Sequence, residues 1–325
     1  MPDFRTPVHI SQAPFQIGHQ HRILLAGSCF TAHIGAYLEQ YKFPVLVNPS
    51  GIIYNPVSLA KSITTTATFQ VDDFFENEGR WRHWDLHSEL AHPDLETAVD
   101  LANQSARNTA TFLRAADVLA ITLGTAGVFT LESTGEVVAN CHKMPAKMFH
   151  RSRLSVSAAV DALSAAIASV KTIRPEINII LTVSPVRHLR EGAVENQRSK
   201  AVLLLACEEL AHQHSNVYYF PAYELLLDDL RDYRFYGPDM IHPSETAIQY
   251  IWEHFANTFF SEKTQALNTR IEKIKTAAQH RPFQPESTQH QAFIAKQMAA
   301  IAELKQAFPF LDFEWEIQEL SGHAG

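Results

Sequence analysis

Two short stretches of the sequence carry side chains that together could form and break an acyl bond at a serine. Ser28 lies in the tetrapeptide Gly27-Ser28-Cys29-Phe30, and the other stretch is Asp239-Met240-Ile241-His242. A serine hydroxyl becomes a nucleophile when an imidazole takes its proton and a carboxylate orients that imidazole. The spacing lets Asp239 fold back onto His242, so that one ring nitrogen is held and the other stays free. The sequence thus offers a nucleophile, a base and an orienting acid.

Ser28 lies between an apolar run, residues 23–26, and a segment with helical periodicity, residues 31–41. This pattern predicts a strand, a turn and a helix. At the carboxyl end of the first strand of an α/β sheet, a side chain projects into the crevice where such folds bind ligands. The following helix directs free N–H groups and a partial positive charge at an anion formed there. A structural interpretation stays open, because Gly-Ser pairs also end strands for steric reasons.

His242 is followed by Pro243 and Ser244, which suit the entry to a helix over residues 245–260 with Ser244 as its N-cap. The imidazole is therefore predicted on a fixed loop just before a helix. Structural contacts between an aspartate and a histidine at this spacing are common. The pair with Asp239 therefore does not indicate catalysis by itself.

Between these stretches, predicted strands alternate with predicted helices. The strands cover residues 118–123, 177–183 and 217–220, and the intervening helices cover residues 154–171 and 195–214. Such alternation predicts an α/β fold with a parallel sheet covered on both faces. Functional groups then gather at the carboxyl ends of the strands.

The composition shifts after Glu262. Residues 263–278 and 288–307 have helical character, are rich in Ala, Gln and Lys, and are separated by Pro282 and Pro285. We therefore predict a domain over residues 1–261 and a helical C-terminal extension over residues 262–325. The extension could dock on the core or on another subunit, which would make a homo-oligomer.

Residues 72–90 are aromatic and polar without a clear period. Two interpretations of this segment stay open, a packed insertion and a cover over the site.

The composition excludes several classes of protein. The chain has 325 residues, 46% of them apolar and 19% charged, and a formal net charge of -8. It has no basic run interleaved with aromatics, so we expect no nucleic-acid partner. It has no uninterrupted apolar stretch near the roughly 20 residues that a membrane span needs. The first residues lack a basic region followed by an apolar one, so we expect no secretion signal and a cytoplasmic location.

The cysteines and histidines do not predict a metal centre. Cys29, Cys141 and Cys207 are odd in number and widely spaced, which argues against a disulfide framework and against a cysteine-rich zinc site. Cys141 and His142 are neighbours, and neighbouring side chains diverge on strands and helices alike. We therefore predict no metal and no cofactor.

Several motifs occur in order along the chain: Gly27-Ser28-Cys29-Phe30, residues 48–56 (NPSGIIYNP), 122–126 (TLGTA), 140–143 (NCHK), 184–188 (SPVRH), 195–197 (ENQ) and 239–244 (DMIHPS). Together they resemble the GSCFA-domain proteins of the SGNH (GDSL-like) hydrolase superfamily, over residues 20–260. The resemblance implies a flavodoxin-like three-layer α/β/α sandwich. It also implies that Ser28 is the nucleophile and that Asp239 and His242 complete a triad. His242 would take the Ser28 proton and return it to the leaving group, and Ser28 would form an acyl-enzyme.

The oxyanion of such a reaction needs fixed donors. One expected donor is the backbone N–H of Ser28, and Gly51, which resembles the superfamily's second block, is another. The third block is usually G-x-N-D, with the asparagine donating to the oxyanion, but this chain has Gly124-Thr125-Ala126-Gly127 there. The sequence leaves open what replaces the asparagine. The candidates are Gly124, Thr125, Asn55, His142 and Arg187.

The leading hypothesis is an esterase or deacylase that removes O-acyl groups, such as acetyl, from a small-molecule or carbohydrate ester. Acyl transfer to an alcohol would use the same triad with water excluded. A binding module on a decayed hydrolase site is a different class, and the missing asparagine prompts it. Cys29 as the nucleophile is the weakest alternative, because the residue after the turn normally points into the packing beneath.

Overall fold

The computed structural model describes residues 6–65, 68–281, 283–284 and 286–322. The first five residues, where no secretion signal is expected, lie outside the described part, as do Pro282 and Pro285. All residues of the predicted triad lie within it.

The strands are β1 (Ile23–Gly27), β2 (Val45–Val47), β3 (Phe75–Asn77), β4 (Arg80–Arg82), β5 (Val118–Leu123), β6 (Gly127–Leu131), β7 (Val137–Val138), β8 (Phe149–Arg153), β9 (Asn178–Val183) and β10 (Val217–Phe220). The helices are α1 (Cys29–Gln40), α2 (Pro56–Thr64), α3 (Leu95–Leu113), α4 (Val156–Ile173), α5 (Gly192–Gln213), α6 (Ala222–Glu224), α7 (Glu245–Phe259), α8 (Glu262–Gln279), α9 (Thr288–Ala307) and α10 (Glu314–Gly322). A π-helical turn, Leu225–Asp229, continues α6.

The main sheet has five parallel strands in the order β10-β9-β5-β1-β2. Counted along the chain within this sheet, the order is 2-1-3-4-5, which is the flavodoxin-like order. The predicted α/β fold with a central parallel sheet is therefore confirmed. The direction in which successive strands are added reverses between β1 and β5, and ligands of such sheets bind outside the carboxyl ends of the strands at this switch point.

The apolar runs form β1, β5 and β9 because these central strands are buried on both faces, where every side chain needs apolar neighbours. Side chains alternate between the faces. Leu24 and Ala26 pack with α2, α4 and α5, whereas Ile23 and Leu25 pack with α1 and α7. The two apolar clusters make the three layers, and they hold the carboxyl ends of β1 and β5 rigidly side by side.

Helix α4 is the one helix in the described ranges that is long and apolar enough, by length and composition alone, to cross a membrane. Core helices of soluble proteins pass the same test. Ala159, Leu163 and Ile167 of α4 pack in the cluster that lies against β5. The expectation of no membrane span stays a prediction.

The segment that the sequence left unassigned, residues 72–90, forms a small unit beside the sheet. Strands β3 and β4 pair antiparallel, and Leu86 is buried against α3. Trp84 stacks on Phe75, with 3.8 Å between the ring centroids, and meets Phe149 of β8 edge-on. The unit is therefore a packed insertion. It borders another antiparallel sheet, of order β7-β6-β8, in which β6 and β7 form a hairpin.

Helices α8, α9 and α10 enclose an apolar cluster of their own. They dock on the core of the same chain. Glu316 of α10 forms an ion pair with Lys42, with 2.6 Å between the carboxylate oxygen and Nζ. Lys275 of α8 donates a hydrogen bond to the side chain of Gln40 at the end of α1, also at 2.6 Å. The boundary between residues 261 and 262 stays a prediction.

Candidate active site

Ser28 lies between β1 and α1 and is fully buried. Its hydroxyl accepts a hydrogen bond from the N–H of Phe30 at 3.3 Å, so the side chain is the N-cap of α1. The turn requires glycine before it, because Gly27 has φ +152° and a Cβ there would lie 2.3 Å from the carbonyl oxygen of Thr122. This close contact with β5 fixes Ser28 at the switch point of the sheet.

Asp239 and His242 form a close pair on the loop before α7. Oδ2 of Asp239 lies 2.6 Å from Nδ1 of His242, and Oδ1 accepts the N–H groups of Ile241 at 2.9 Å and His242 at 3.0 Å. These bonds, the one with the His242 ring being the strongest, lower the pKa of Asp239 to about 2. The loop is held in turn by Ser244, which caps α7. The imidazole is therefore oriented, and its Nε2 has no hydrogen-bond partner in the part of the chain that the structure describes.

The two stretches meet at the same edge of the sheet. His33, one turn into α1 from Ser28, and His188, after β9, both lie close enough to His242 for its charge to lower their pKa values, after burial. Ser28 and His242 both belong to the described residues, and no hydrogen bond joins the hydroxyl to the ring. Catalytic hydrogen bonds are often long before substrate binds. The triad itself stays a prediction.

The backbone donors expected for the oxyanion are already engaged. The N–H of Ser28 donates to the carbonyl of Thr122 at 3.1 Å, and the N–H of Gly51 donates to Asn48 at 2.8 Å. The N–H groups of Gly124 and Thr125 both donate to the carbonyl of Tyr54, at 2.8 and 3.1 Å. These four groups close the loops around the site, and each would have to change its partner to bind an oxyanion.

Two of the remaining oxyanion candidates have structural partners. Asn55 caps α2, with its Oδ1 accepting the N–H of Ser58 at 2.9 Å. Nε2 of His142 lies 2.8 Å from the carbonyl oxygen of His83, and Nδ1 lies 3.2 Å from the Ser88 hydroxyl. Burial lowers the pKa of His142 to about 4, so the ring is neutral near pH 7. Both side chains hold the loops that surround the site.

Arg187 contacts the loop of the predicted triad. Its guanidinium lies 4.3 Å from the centroid of the Tyr236 ring and donates to the carbonyl of Met240 at 3.4 Å. Its backbone N–H donates to Ile241 at 3.2 Å. Arg187 therefore holds the Asp239–His242 loop against the end of β9. Arg187 is one of the candidates for the oxyanion donor, and its contacts also suit a support for this loop.

The sequence model of the GSCFA family matches residues 22–255, well over half of the chain. The chain belongs to the GSCFA family. A second model, for the C-terminal domain of GSCFA domain proteins, matches residues 271–322, within the helical extension. The resemblance predicted from the motifs is confirmed.

No curated protein matches the sequence significantly. Among solved structures, the GSCFA protein is similar to a family 3 carbohydrate esterase of Clostridium thermocellum, with 13% identity over 77% of this chain and 98% of the other and a TM-score of 0.35. An acetyl xylan esterase from the rumen bacterium Butyrivibrio proteoclasticus has 11% identity over 74% and 64%, with a TM-score of 0.41. A family 3 carbohydrate esterase from Talaromyces cellulolyticus has 11% identity over 78% and 99%, with a TM-score of 0.34.

The GSCFA protein has a buried lysine at the site that the sequence reasoning missed. Lys200 of α5 is 1% exposed, and its Nζ donates to the carbonyls of Gly124 at 2.7 Å and Ser184 at 2.6 Å. Burial lowers its pKa to about 7. Lys200 therefore ties together the loops after β5 and β9. The sequence signal for its burial is its position in the helical repeat, because Lys200 lies on the same face of α5 as the apolar residues 203, 207 and 210.

His188 is a second residue that was missed. Its Nε2 is buried and has no hydrogen-bond partner among the described residues. The ring meets Tyr54 edge-on at 5.1 Å, and its backbone N–H donates to Asn196 at 2.9 Å. Burial, followed by the charge of Lys200, lowers its pKa to about 4. The signal was its place at the end of a strand, in the motif of residues 184–188.

Cys29 is a poor nucleophile in this position. The thiol is half-buried, and burial raises its pKa, although the N–H groups of Cys29 and Phe30 act in the opposite direction. A raised pKa leaves less of the reactive thiolate near pH 7. The raised pKa therefore disfavours Cys29 as the nucleophile.

A cavity of about 810 Å³ lies at the carboxyl ends of β5 and β9. Tyr54, Thr125 and His188 form its inner wall, whereas Ser28, Asp239 and His242 do not line it. Tyr54 lies against Gly124, and its carbonyl accepts the N–H of Gly124 at 2.8 Å, so this wall stands at the end of β5, the strand that pairs with β1. Within the described ranges, no group of three or more His, Cys, Asp or Glu side chains is arranged to hold a metal ion.

Proposed function

We propose that this GSCFA protein is a serine esterase or deacylase of the SGNH type that removes an O-acyl group, such as acetyl, from an alcohol or a carbohydrate hydroxyl. The observation that carries the proposal is the pairing of Asp239 with His242, 2.6 Å apart, at the sheet edge where Ser28 begins α1. Membership of the GSCFA family supports it, because the three residues stand in that family's motifs.

In the proposed reaction, Asp239 keeps the proton of His242 on Nδ1, so that Nε2 can act as the base. Nε2 takes the Ser28 proton while the serine oxygen bonds to the acyl carbon. The proton then passes to the alcohol oxygen as its bond to the acyl carbon breaks. Water, deprotonated by the same nitrogen, cleaves the acyl-enzyme and releases the carboxylic acid and free Ser28.

Ser28 must leave its capping position for this step. Its hydroxyl accepts only a 3.3 Å bond from Phe30, near the long end of the range for such bonds. Rotation of the side chain toward His242 would break that bond and free the N–H of Phe30. The positive end of the α1 dipole would then face the oxyanion formed at Ser28.

The test is hydrolysis of 4-nitrophenyl acetate by the full chain and by Ser28→Ala. We expect turnover in the wild type and a loss of about 10³-fold or more in the variant. Ser155→Ala is the matched control, because Ser155 is also an N-cap, of α4, and lies outside the site. Loss of either cap lowers the free energy of unfolding by about 0.5–2 kcal/mol. Equal turnover in the two variants would reject the proposal.

A binding module is the second candidate, and one observation favours it. Ser28 is fully buried and its N–H is engaged with Thr122, which suits a residue retained only for folding. A fluorophosphonate distinguishes the two candidates, since it bonds to an activated serine. Labelling of the wild type but not of Ser28→Ala supports the esterase. No labelling of either, together with binding of an acetylated sugar, supports the module.

A further inference from the structure

We propose that the cavity at the carboxyl ends of β5 and β9 binds an anionic group, a carboxylate or a phosphate, on the alcohol part of the ester. This inference rests on the proposed esterase function and names the class of substrate for it. Six charged side chains line the cavity: Lys143, Arg151, Arg153, Arg190, Glu191 and Glu195. Four are cations and two are carboxylates, although the chain as a whole has a formal net charge of -8.

The two carboxylates are already paired. Glu191 forms an ion pair with Arg151, and Glu195 forms one with Arg153. No carboxylate of the described residues lies within ion-pair distance of Lys143 or Arg190. The cavity therefore presents two uncompensated cations.

The strongest feature is a pair of guanidinium groups on one aromatic ring. The Cζ atoms of Arg151 and Arg190 lie 5.2 and 5.7 Å from the centroid of Phe129. The two like charges repel each other, and the charge of Arg190, after burial, lowers the pKa of Arg151. Because Glu191 already pairs with Arg151, an incoming anion would bind at Arg190, and the planar fork of arginine matches both carboxylate and phosphate.

The position of the cavity suits the alcohol part rather than the acyl group. Its inner wall, Tyr54 and His188, lies against Gly124, two residues after Thr122, whose carbonyl accepts the N–H of Ser28. An ester carbonyl at Ser28 would therefore direct its alcohol past this wall toward Phe129. A volume of about 810 Å³ admits one or two sugar rings or an aryl group.

The experiment compares two acetyl esters with similar leaving groups. One is 4-acetoxybenzoate, which carries a carboxylate, and the other is 4-acetoxybenzamide, which is neutral. We expect kcat/KM to favour the anionic ester about tenfold, as hydrogen bonds to charged groups contribute. Arg190→Gln should reduce that preference to about twofold or less. A third substrate, 4-acetoxyphenyl phosphate, distinguishes a phosphate site from a carboxylate site. The anion whose ester has the higher kcat/KM relative to the neutral ester is the one that the site prefers.

The matched control is Lys171→Gln, which removes one positive charge from the last turn of α4, outside the cavity lining. It should leave the preference unchanged. The inference is overturned if the wild type cleaves the anionic and neutral esters equally well, or if Arg190→Gln and Lys171→Gln retain the same preference.

A separate binding measurement distinguishes this inference from the proposed function. Saturation-transfer NMR with 4-hydroxybenzoate and 4-hydroxybenzamide reports on the cavity whether or not an ester is cleaved. If no ester is hydrolysed but only the anion binds, and binding is lost in Arg190→Gln, the esterase fails and the anion site stands. If neither compound binds and the neutral ester is hydrolysed, the esterase stands and the anion site fails.

Discussion

The carboxylate of Asp239 contacts His242 through both of its oxygens. Oδ2 lies 2.6 Å from the ring Nδ1, and Oδ1 accepts the backbone N–H of His242 at 3.0 Å. Both members of the pair thus belong to one loop. Ser28 comes from the other side of the switch point, more than 200 residues earlier. Assembly of the predicted triad therefore requires only that the sheet edge bring the nucleophile to a base that is already oriented.

Replacing Asp239 by Asn should lower kcat for ester hydrolysis by about two to four orders of magnitude. An amide can hold the ring in the wrong tautomer, with the proton on Nε2, where the base is needed. Asp94→Asn is the control, because Asp94 is an exposed carboxylate that caps α3 through a hydrogen bond to Thr97. A similar loss of kcat in both variants would show that Asp239 acts only on stability.

The low pKa of Asp239 also predicts a pH dependence of stability. A carboxylate whose pKa falls to about 2 on folding binds its proton less tightly in the folded state than in the unfolded state. Its contribution to stability is therefore complete above the unfolded pKa of about 4 and is lost as pH falls toward 2. The difference in urea midpoint between the wild type and Asp239→Asn should be constant from pH 5 to 7 and narrow below pH 4. A difference that is independent of pH would contradict the depressed pKa.

Lys200→Met should destabilise the fold, and the effect should grow with pH. The variant leaves the carbonyls of Gly124 and Ser184 without their donor, which costs about 2 to 4 kcal/mol in total. Because burial lowers the pKa of Lys200 to about 7, the folded chain releases its proton there, whereas the unfolded chain keeps it to about 10.4. The stability of the wild type therefore rises over this window relative to Lys200→Met, because the unfolded state binds more protons.

Urea unfolding at pH 6.5, 8 and 9.5 measures this effect. Lys171→Met is the control, since Lys171 lies in the last turn of α4 and is only half-buried. If the difference in free energy of unfolding between the wild type and Lys200→Met narrows with rising pH, the lowered pKa of Lys200 is contradicted. If instead kcat falls while the unfolding curve is unchanged, Lys200 positions the loops for catalysis and contributes little to stability.

The sequence predicted the fold class well because its main signals are local. The apolar runs at residues 23–26, 118–123 and 177–183 mark strands buried on both faces, and alternation with helices makes the sheet parallel. The strand order and the packing of residues 72–90 were not predicted by these signals. They depend on contacts between segments far apart in sequence, such as Trp84 with Phe149.

The residue types of the candidate site could be predicted from the sequence, whereas the contacts that its residues make could not. Residue type suggested Ser28, Asp239 and His242, and only the structure reveals that Ser28 is buried and that its N–H binds Thr122. A hydrogen bond between two chain segments leaves no periodic signal in the sequence. The same holds for Lys200, whose two acceptors lie 76 and 16 residues away.

Breaking the ion pair between Lys42 and Glu316 should destabilise the fold, and removing the second charge as well should restore part of the lost stability, which is not expected for a surface pair. The Glu316 side chain is 3% exposed and that of Lys42 is 18% exposed, and the pair joins α10 to the loop that follows α1. Lys42→Met leaves a buried carboxylate without its partner, which should cost about 3–5 kcal/mol. The double variant Lys42→Met with Glu316→Gln removes that charge, so it should recover part of the loss, and both can be measured by urea unfolding.

Arg231→Met is the control for this pair. Arg231 and Asp228 lie 3.0 Å apart with 78% and 55% of their side chains exposed, so the change should cost at most about 1 kcal/mol. Because α1 runs from Cys29, next to Ser28, to Gln40, close to Lys42, undocking of α10 loosens the helix whose first residues would face the oxyanion. We therefore expect Lys42→Met to lower ester hydrolysis at temperatures well below its global unfolding, and the double variant to restore it in part. A double variant no more stable than Lys42→Met would mean that contacts other than this charge pair hold the extension on the core.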